Sequence, residues 1–157
     1  MGTLISAAHR FQHMSIERAC DLDTKKAYYR VLKRDRNNAY AWTNLGNLLQ
    51  AENKYNFAIY AYKRAMRIDA HVIEATYNLG YVYMQWLSRY EDAIPLFERA
   101  LLANPDFLDA RYNLAFALRM VGRTAESRKH FGAYLRADST SHWAEQARAY
   151  IGLRRVV

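Results

Sequence analysis

The sequence contains few residues that form tight turns or covalent cross-links. Its 157 residues include only two prolines and six glycines, which is little for an all-β chain and favours helices. The single cysteine, Cys20, excludes an internal disulfide and fits a reducing compartment. We therefore expect a helical, cytoplasmic protein.

Long apolar runs and targeting segments are missing as well. No window approaches the roughly 18 apolar residues that a membrane span needs, and the first residues lack the basic and apolar regions of a secretory signal. Met1-Gly2 with Ser6 matches the short myristoylation pattern, for which an ordinary chain start is the simpler interpretation. Hydrophobic residues nevertheless make up 52% of the chain, so it should fold around a core.

The sequence also lacks the residue sets that carry out catalysis or bind metals. Its histidines have no ligand-like spacing, apart from His9 and His13, which are four residues apart and lack a third ligand. No Gly-rich phosphate loop or serine elbow is present. The sequence thus predicts no catalytic site, no metal site and no cofactor, and a protein that is not an enzyme.

What the sequence does contain is an internal repeat of about 34 residues. The segments AYAWTNLGNLL (39–49), IEATYNLGYVY (73–83) and LDARYNLAFAL (108–118) align with offsets of 34 and 35 residues. Each has a leucine before a small residue: Leu45-Gly46, Leu79-Gly80 and Leu114-Ala115. The downstream halves share a small and an aromatic position, held by Ala58 and Tyr62, Ala93 and Phe97, and Ser127 and Phe131. The copy that begins at residue 73 has one extra residue near 86–89, which we place in the turn between its helices.

This arrangement of Trp, Leu, Gly, Ala and aromatic residues resembles the tetratricopeptide repeat. The resemblance implies an all-α fold, a right-handed α-solenoid of helical hairpins with about four repeats and a C-terminal capping helix. Small residues let the two helices of a hairpin pack closely. We expect the aromatic residues to fill the space between adjacent hairpins, because one hairpin cannot bury its own apolar faces.

The alignment gives the expected repeat boundaries within a single domain over residues 1–157. They are a degenerate repeat 1 (4–38), repeat 2 (39–72), repeat 3 (73–107), repeat 4 (108–141) and a capping helix (142–155). With the first helix of repeat 1 placed within 4–20, we expect nine helices.

In this family, the first helix of each hairpin lines a concave groove. The resemblance assigns five groove positions to each of repeats 2 to 4, on one helical face, and the fifth position holds Gln50, Met84 and Arg119. The first four positions of each repeat give the candidate contact residues, which are Tyr40, Thr43, Asn44, Asn47, Glu74, Tyr77, Asn78, Tyr81, Asp109, Tyr112, Asn113 and Phe116. The final helix can add Trp143 and Tyr150 at the edge.

One asparagine recurs at the same place in each of these repeats, as Asn44, Asn78 and Asn113. A side-chain amide can pair with both polar groups of a peptide unit. The series is similar to the asparagine ladder in the repeat region of O-linked N-acetylglucosamine transferases. Two explanations of the series remain open. The asparagines can bind a partner's backbone, or Asn-Leu-Gly can simply be common in the family.

The aromatic groove candidates also have two explanations. Tyrosine and phenylalanine give contact area at low entropy cost, so the groove can present an aromatic wall to a partner. The same rings can instead pack between hairpins. We expect Tyr77 and Tyr112 to carry the larger share of partner binding.

Two acidic residues in the groove argue against one ligand class. Family members that clamp the acidic C-terminal tails of chaperones use Lys and Arg in the groove, whereas Glu74 and Asp109 would repel a terminal carboxylate. We expect weak or no binding to such tails.

The net charge of +8 is carried mostly away from the groove, on segments that form the outer side in this family. The candidate basic surface consists of Lys33, Arg34, Arg36, Lys63, Arg64 and Arg67. Two roles are open for these residues: they can form a solvated face, or they can bind nucleic acid or another polyanion.

The sequence therefore favours a protein-interaction scaffold that binds an extended peptide segment of another protein in the concave groove. The alternative is a regulatory module that binds nucleic acid or an acidic partner through the basic convex surface. Self-association through the end hairpins is compatible with either hypothesis.

Overall fold

The structure, a computed structural model, describes residues 22–152. This range contains eight α-helices and no strand. The helices are α1 (Leu22–Arg34), α2 (Ala39–Ala51), α3 (Tyr55–Ile68), α4 (Ile73–Leu87), α5 (Tyr90–Ala103), α6 (Leu108–Met120), α7 (Thr124–Ala137) and α8 (His142–Ile151). The expectation of an all-α solenoid is confirmed. The first expected helix, within residues 4–20, lies outside the described range. The His9–His13 pair and residues 153–155 lie outside it as well.

The helices pack in chain order, as a stack of hairpins. The pairs α2–α3, α4–α5 and α6–α7 form three hairpins, with α1 packed on α2 and α8 packed on α7. We call α2, α4 and α6 the A helices and α3, α5 and α7 the B helices. Successive A helices contact each other directly, and no two B helices do so to the same extent in the described chain. The A helices therefore form the inner face of the stack.

The first two hairpins are each closed by an aromatic ring lying on a glycine. A Cβ atom at Gly46 would lie 2.5 Å from Cε1 of Tyr62, and one at Gly80 would lie 3.0 Å from Cε1 of Phe97. Both rings are fully buried. They pack inside their own hairpins, because the glycine, which has no side chain, leaves room for the ring. This corrects the expectation that these rings fill the space between adjacent hairpins.

The third hairpin is closed differently. Its small pair is Ala115 and Ser127, and the Ser127 hydroxyl donates a hydrogen bond of 2.7 Å to the carbonyl oxygen of Ala115. The ring of Phe131 lies 5.4 Å from that of Tyr112 in the same hairpin and 5.3 Å from that of Tyr150 in α8. Phe131 thus joins the last hairpin to the final helix.

The extra residue of repeat 3 lies in the turn between α4 and α5, where the sequence places it. The backbone N–H of Arg89 donates 2.8 Å to the carbonyl oxygen of Tyr83, six residues earlier. The equivalent bond in repeat 2 runs from Lys54 to Leu49, five residues earlier, also over 2.8 Å. Ser88 has left-handed backbone at φ 52°, as does Asn53 at the matching place in repeat 2, at φ 59°.

A single turn motif reverses the chain before each A helix and before α8. The first residue after each preceding helix has a side-chain oxygen that accepts a hydrogen bond from the backbone N–H two residues later. These pairs are Asp35–Asn37, Asp69–His71, Asn104–Asp106 and Asp138–Thr140, at 2.9, 2.8, 3.1 and 3.2 Å. The motif fixes the entry of each new repeat, and with it the position of the inner face.

Among residues 22–152, no helix has both the length and the apolar character that a membrane crossing requires.

Candidate functional site

A pocket of about 110 Å³ lies on the inner face between α4, α6 and α8, and we call it the C-terminal pocket. Its walls are formed by Tyr77, Tyr81, Met84, Gln85, Asp109, Tyr112, Asn113, Phe116, Tyr134, Trp143, Gln146 and Tyr150. The volume suits one side chain, since sites for small molecules measure roughly 300–1,000 Å³. Six of the twelve candidate groove residues meet here.

Tyr77 forms the buried base of the C-terminal pocket. Only 4% of its surface is exposed, and its ring centroid lies 4.7 Å from that of Phe107 and 5.8 Å from that of Phe97. The side-chain amide of Asn113 donates a hydrogen bond of 2.9 Å to its hydroxyl. Burial and the nearby Asp109 carboxylate raise the pKa of Tyr77 well above its ordinary value, so the hydroxyl stays neutral.

Tyr112 connects α6 to α8. It is 7% exposed, and its hydroxyl donates a hydrogen bond of 2.8 Å to Oε1 of Gln146. Its ring meets those of Tyr134 and Trp143 edge-on, with centroids 5.3 and 5.1 Å away. Burial, with Tyr150 and Tyr134 close by, raises the pKa of Tyr112. Tyr77 and Tyr112 are thus structural supports of the pocket more than exposed contact surfaces.

The accessible walls of the pocket are four half-buried aromatic residues, Tyr81, Phe116, Trp143 and Tyr150. The ring of Phe116 lies 5.9 Å from that of Tyr150, at an interplanar angle of 57°. The Tyr77 and Tyr81 ring centroids are 6.3 Å apart. Each of the four rings packs against the buried core, which holds the walls in place before any partner arrives.

The C-terminal pocket has an acidic rather than a basic lining. Asp109, in the first turn of α6, supplies a carboxylate, and no Lys, Arg or His lines the pocket within residues 22–152. The charge of Asp109 contributes to the raised pKa of both Tyr77 and Tyr134. Burial and the hydrogen bond to Asp138 raise the pKa of Tyr134 to about 12, so it too stays neutral.

Candidate residues of repeat 2 belong to a separate polar network between α2, α3 and α4. Oδ1 of Asn47 lies 2.8 Å from the hydroxyl of Tyr62 and accepts a 2.9 Å hydrogen bond from the amide of Asn78. The Asn47 amide donates a 2.9 Å hydrogen bond to Oε1 of Glu74. The Tyr62 hydroxyl also lies 2.9 Å from Oε1 of Gln50. This network joins repeats 2 and 3 and uses Asn47, Asn78 and Glu74 as partners of one another.

The recurring asparagines have three different environments. Asn44 donates a hydrogen bond of 2.9 Å to the carbonyl oxygen of Tyr40 in its own helix. Asn78 is only 4% exposed and donates to Asn47, whereas the half-buried Asn113 donates to Tyr77. Asn44 and Asn113 retain partly exposed side chains, and Asn78 has an interior role.

The remaining candidates of repeat 2 differ in exposure. Tyr40 is 70% exposed, whereas Thr43 is buried and its hydroxyl donates a 2.9 Å hydrogen bond to the carbonyl oxygen of Ala39. Thr43 therefore supports α2 rather than offering a contact.

The basic surface brings together two segments that are about 30 residues apart in the sequence. Its residues are Lys33, Arg34, Arg36, Lys63, Arg64 and Arg67. Trp42 connects the two segments, because its indole N–H donates 2.9 Å to the carbonyl oxygen of Arg36 while the Arg64 guanidinium lies 5.8 Å from its ring centroid. Within residues 22–152, no carboxylate forms a salt bridge with any of the six.

Three residues of the C-terminal pocket were missed by sequence reasoning: Gln85, Tyr134 and Gln146. Gln146 had a usable signal, since Trp143, Gln146 and Tyr150 are three and four residues apart and share one face of α8. Tyr134 aligns with Ala65 and Ala100 of the preceding repeats, so its larger size indicates a changed packing partner.

Comparisons with known proteins agree with this fold. Family models described as tetratricopeptide repeat match residues 39–71 and 87–152. No curated protein sequence matches the chain. The solved structure of MamA is 25% identical, with a TM-score of 0.72 over 83% of this chain and 78% of that one.

Two further structures are similar in fold. YrrB, described as a TPR protein with an unusual peptide-binding site, is 24% identical, with a TM-score of 0.71 over 97% of this chain and 75% of that one. The first TPR of Spaghetti (RPAP3), bound to the HSP90 peptide SRMEEVD, is 20% identical, with a TM-score of 0.68 over 73% of this chain and 90% of that one. From the repeats, the helical stack and these matches, the chain belongs to the tetratricopeptide repeat family.

Proposed function

We propose that this protein is a non-catalytic scaffold that binds an extended segment of a partner protein along the inner face of its A helices. The observation that carries the proposal is the C-terminal pocket, a rigid aromatic recess with polar groups at its base. A recess of this kind can anchor one side chain of a segment while the rest lies along the helices. The single cysteine makes the cytoplasm the proposed location.

The proposed contact residues are the inner-face candidates with accessible surface. At the C-terminal pocket they are Tyr81, Asp109, Asn113 and Phe116, and towards the other end they are Tyr40 and Asn44. The buried candidates act indirectly, because they hold these side chains and the A helices in register. Two similar structures support this assignment by analogy, since YrrB has a peptide-binding site and the RPAP3 domain binds a peptide.

Peptide display tests the proposal. A library of random peptides is selected on the wild-type protein, and the affinities of the selected peptides are measured for Tyr81→Ala and Phe116→Ala. We expect each substitution to weaken binding about tenfold or more, as for an anchor residue worth at least about 1.4 kcal/mol. Leu102→Ala is the matched control, because this α5 side chain is 85% exposed and distant from the pocket lining.

Two outcomes would overturn the proposal. One is a failure to select any peptide that binds specifically. The other is selected peptides that bind the groove variants as well as the wild type. Circular dichroism and unfolding midpoints identify any variant whose loss of binding reflects a loss of fold.

A second candidate function is the binding of a polyanion, such as nucleic acid or an acidic partner, through the basic surface. It is favoured by the convergence of two basic segments on Trp42 and by the absence of salt bridges to these six cations within the described chain. The triple variant Lys33→Glu, Arg34→Glu, Arg36→Glu should abolish a salt-dependent association with single-stranded oligonucleotide or acidic peptide. If partner binding survives the groove substitutions but not this charge reversal, the second function replaces the first.

A further inference from the structure

We propose that the C-terminal pocket selects a basic side chain, lysine or arginine, of the partner's segment. The inference rests on the proposed function and names the chemistry that its anchor recognises. It is carried by the combination of aromatic walls, a carboxylate in the lining and the lack of any basic side chain among the described lining residues.

The aromatic walls are suited to a cation. Tyr81, Phe116, Trp143 and Tyr150 line the recess, and the faces of such rings carry negative electrostatic potential that attracts ammonium and guanidinium groups within about 6 Å. The rings of Phe116 and Tyr150 are tilted by 57°, and Trp143 lies at 72° to the buried ring of Tyr112, so these rings do not form one flat platform. The long apolar stem of a lysine or arginine fits between such walls while its charged head reaches the polar base.

The protein already forms this kind of contact beside the pocket. The guanidinium of Arg119 lies 5.1 Å from the ring centroid of Tyr150, and its Nη1 donates a 3.3 Å hydrogen bond to the carbonyl oxygen of the same residue. Tyr150 therefore takes part in a cation–π contact in the folded chain. Arg119 itself does not line the recess, although it covers one face of the Tyr150 ring.

Asp109 supplies the negative charge that would make a basic side chain bind more tightly than a neutral one. Its side chain lines the recess, and its charge acts on the hydroxyls of Tyr77 and Tyr134, both of which stay neutral. The lining also supplies acceptors such as Oε1 of Gln146. An ammonium or guanidinium group would gain both the ion pair and these acceptors, whereas a carboxylate would be repelled.

The overall charge of the chain opposes the binding of a cationic ligand, so the strength of this repulsion has to be compared with the local attraction. The net charge of +8 creates long-range repulsion, but salt screens exposed charges beyond about 8 Å at physiological ionic strength. A carboxylate in a partly dry recess acts over a shorter distance and is screened less. The local attraction therefore decides the preference once the segment is in place.

Small probes of equal length test the inference directly. n-Butylammonium, n-butylguanidinium, n-butanol and pentanoate are titrated into ¹⁵N-labelled protein at constant ionic strength, and the indole resonance of Trp143 is followed. We expect saturable shifts with the two cations, at least threefold weaker binding of butanol, and no binding of pentanoate. Equal binding of butanol and butylammonium, or binding of pentanoate, would overturn the inference.

A pair of matched variants separates the local carboxylate from the overall charge. Asp109→Asn should weaken binding of n-butylammonium at least threefold, whereas Asp106→Asn should leave it unchanged, because Asp106 is exposed, three residues away and outside the pocket lining. Equal effects of the two substitutions would show that only net charge matters and would refute the inference.

Selected peptides that bind the groove without Lys or Arg would refute the inference while leaving the proposed function intact. A display that selects no peptide would refute the proposed function itself.

Discussion

The side-chain amide of Asn113 donates a 2.9 Å hydrogen bond to the hydroxyl of Tyr77, in the preceding repeat. Both residues occupy groove positions of their repeats, yet here each is the other's partner. The bond crosses from α6 to α4 at the base of the C-terminal pocket. It therefore couples the stacking of two repeats to the shape of the proposed binding site.

A double-mutant cycle tests this coupling. Tyr77→Phe keeps the packing against Phe97 and Phe107 but removes the acceptor, and Asn113→Ala removes the donor. Each change should lower the free energy of unfolding by about 1 kcal/mol, and the double variant should lose less than the sum of the two. Urea unfolding followed by circular dichroism measures the cycle, and strictly additive losses would show that the bond contributes nothing.

The close packing inside the hairpins gives a second prediction. Gly46→Ala should lower the free energy of unfolding by about 1–3 kcal/mol, because the new methyl would lie 2.5 Å from a ring carbon of Tyr62. That ring cannot move aside easily, since it is fully buried and its hydroxyl lies within hydrogen-bonding distance of Asn47 and Gln50. Thermal and urea unfolding measure the loss.

Gly132 provides the matched control for this substitution. It lies inside α7, and the nearest atom to an added Cβ is Nη1 of Arg136 at 4.0 Å. Gly132→Ala should therefore raise the free energy of unfolding, by up to about 1 kcal/mol, through helix propensity alone. Similar destabilisation by both substitutions would show that the ring contact at Gly46 is unimportant.

The fold could be predicted from the sequence because its determinants repeat. Leu45, Leu79 and Leu114 recur at one position and are all buried, and the small residues after them lie at the hairpin contacts. A pattern found three times reports on the packing that every repeat needs. It does not depend on which neighbour a given side chain meets.

The site was harder to predict because its contacts run between unlike repeats. Asn78 and Asn113 occupy the same position, but the preceding repeat offers Asn47 to the first and Tyr77 to the second. Their burial differs accordingly. Aligning repeats shows what the positions share, whereas a binding surface depends on pairs that differ from one repeat to the next.

The acidic lining of the inner face predicts which peptides will fail to bind. SRMEEVD, the HSP90 peptide bound by the first TPR of Spaghetti (RPAP3), carries four carboxylates, counting its C-terminus, and a single arginine. Asp109 and Glu74 would repel its acidic end, and no basic residue lines the C-terminal pocket in the described chain. Calorimetric titration should show no saturable binding at micromolar concentrations, and micromolar affinity would contradict this account.

Asp138 predicts a pH dependence of stability at the entry to α8. Its Oδ2 accepts a 2.8 Å hydrogen bond from the Tyr134 hydroxyl, and its Oδ1 accepts bonds of 3.2 and 3.1 Å from the backbone N–H groups of Thr140 and Ser141. Partial burial alone would raise the pKa of Asp138, but the hydrogen bonds outweigh it and lower the pKa to about 2. Because the folded pKa is depressed, the stabilisation is present above the unfolded value near 4 and is lost as the pH falls through about 2.

Asp138→Asn should therefore lower the free energy of unfolding by about 1 kcal/mol at neutral pH, after allowance for solvent screening. The difference from wild type should shrink between about pH 4 and pH 2, as the wild-type carboxyl is protonated. Asp69→Asn is the control, since it forms the equivalent turn with His71 but has Ala65 where the last repeat has Tyr134, so its loss should be smaller. Urea titrations at a series of pH values measure both, and a loss at Asp138 that is independent of pH would show that its charge does not anchor α8.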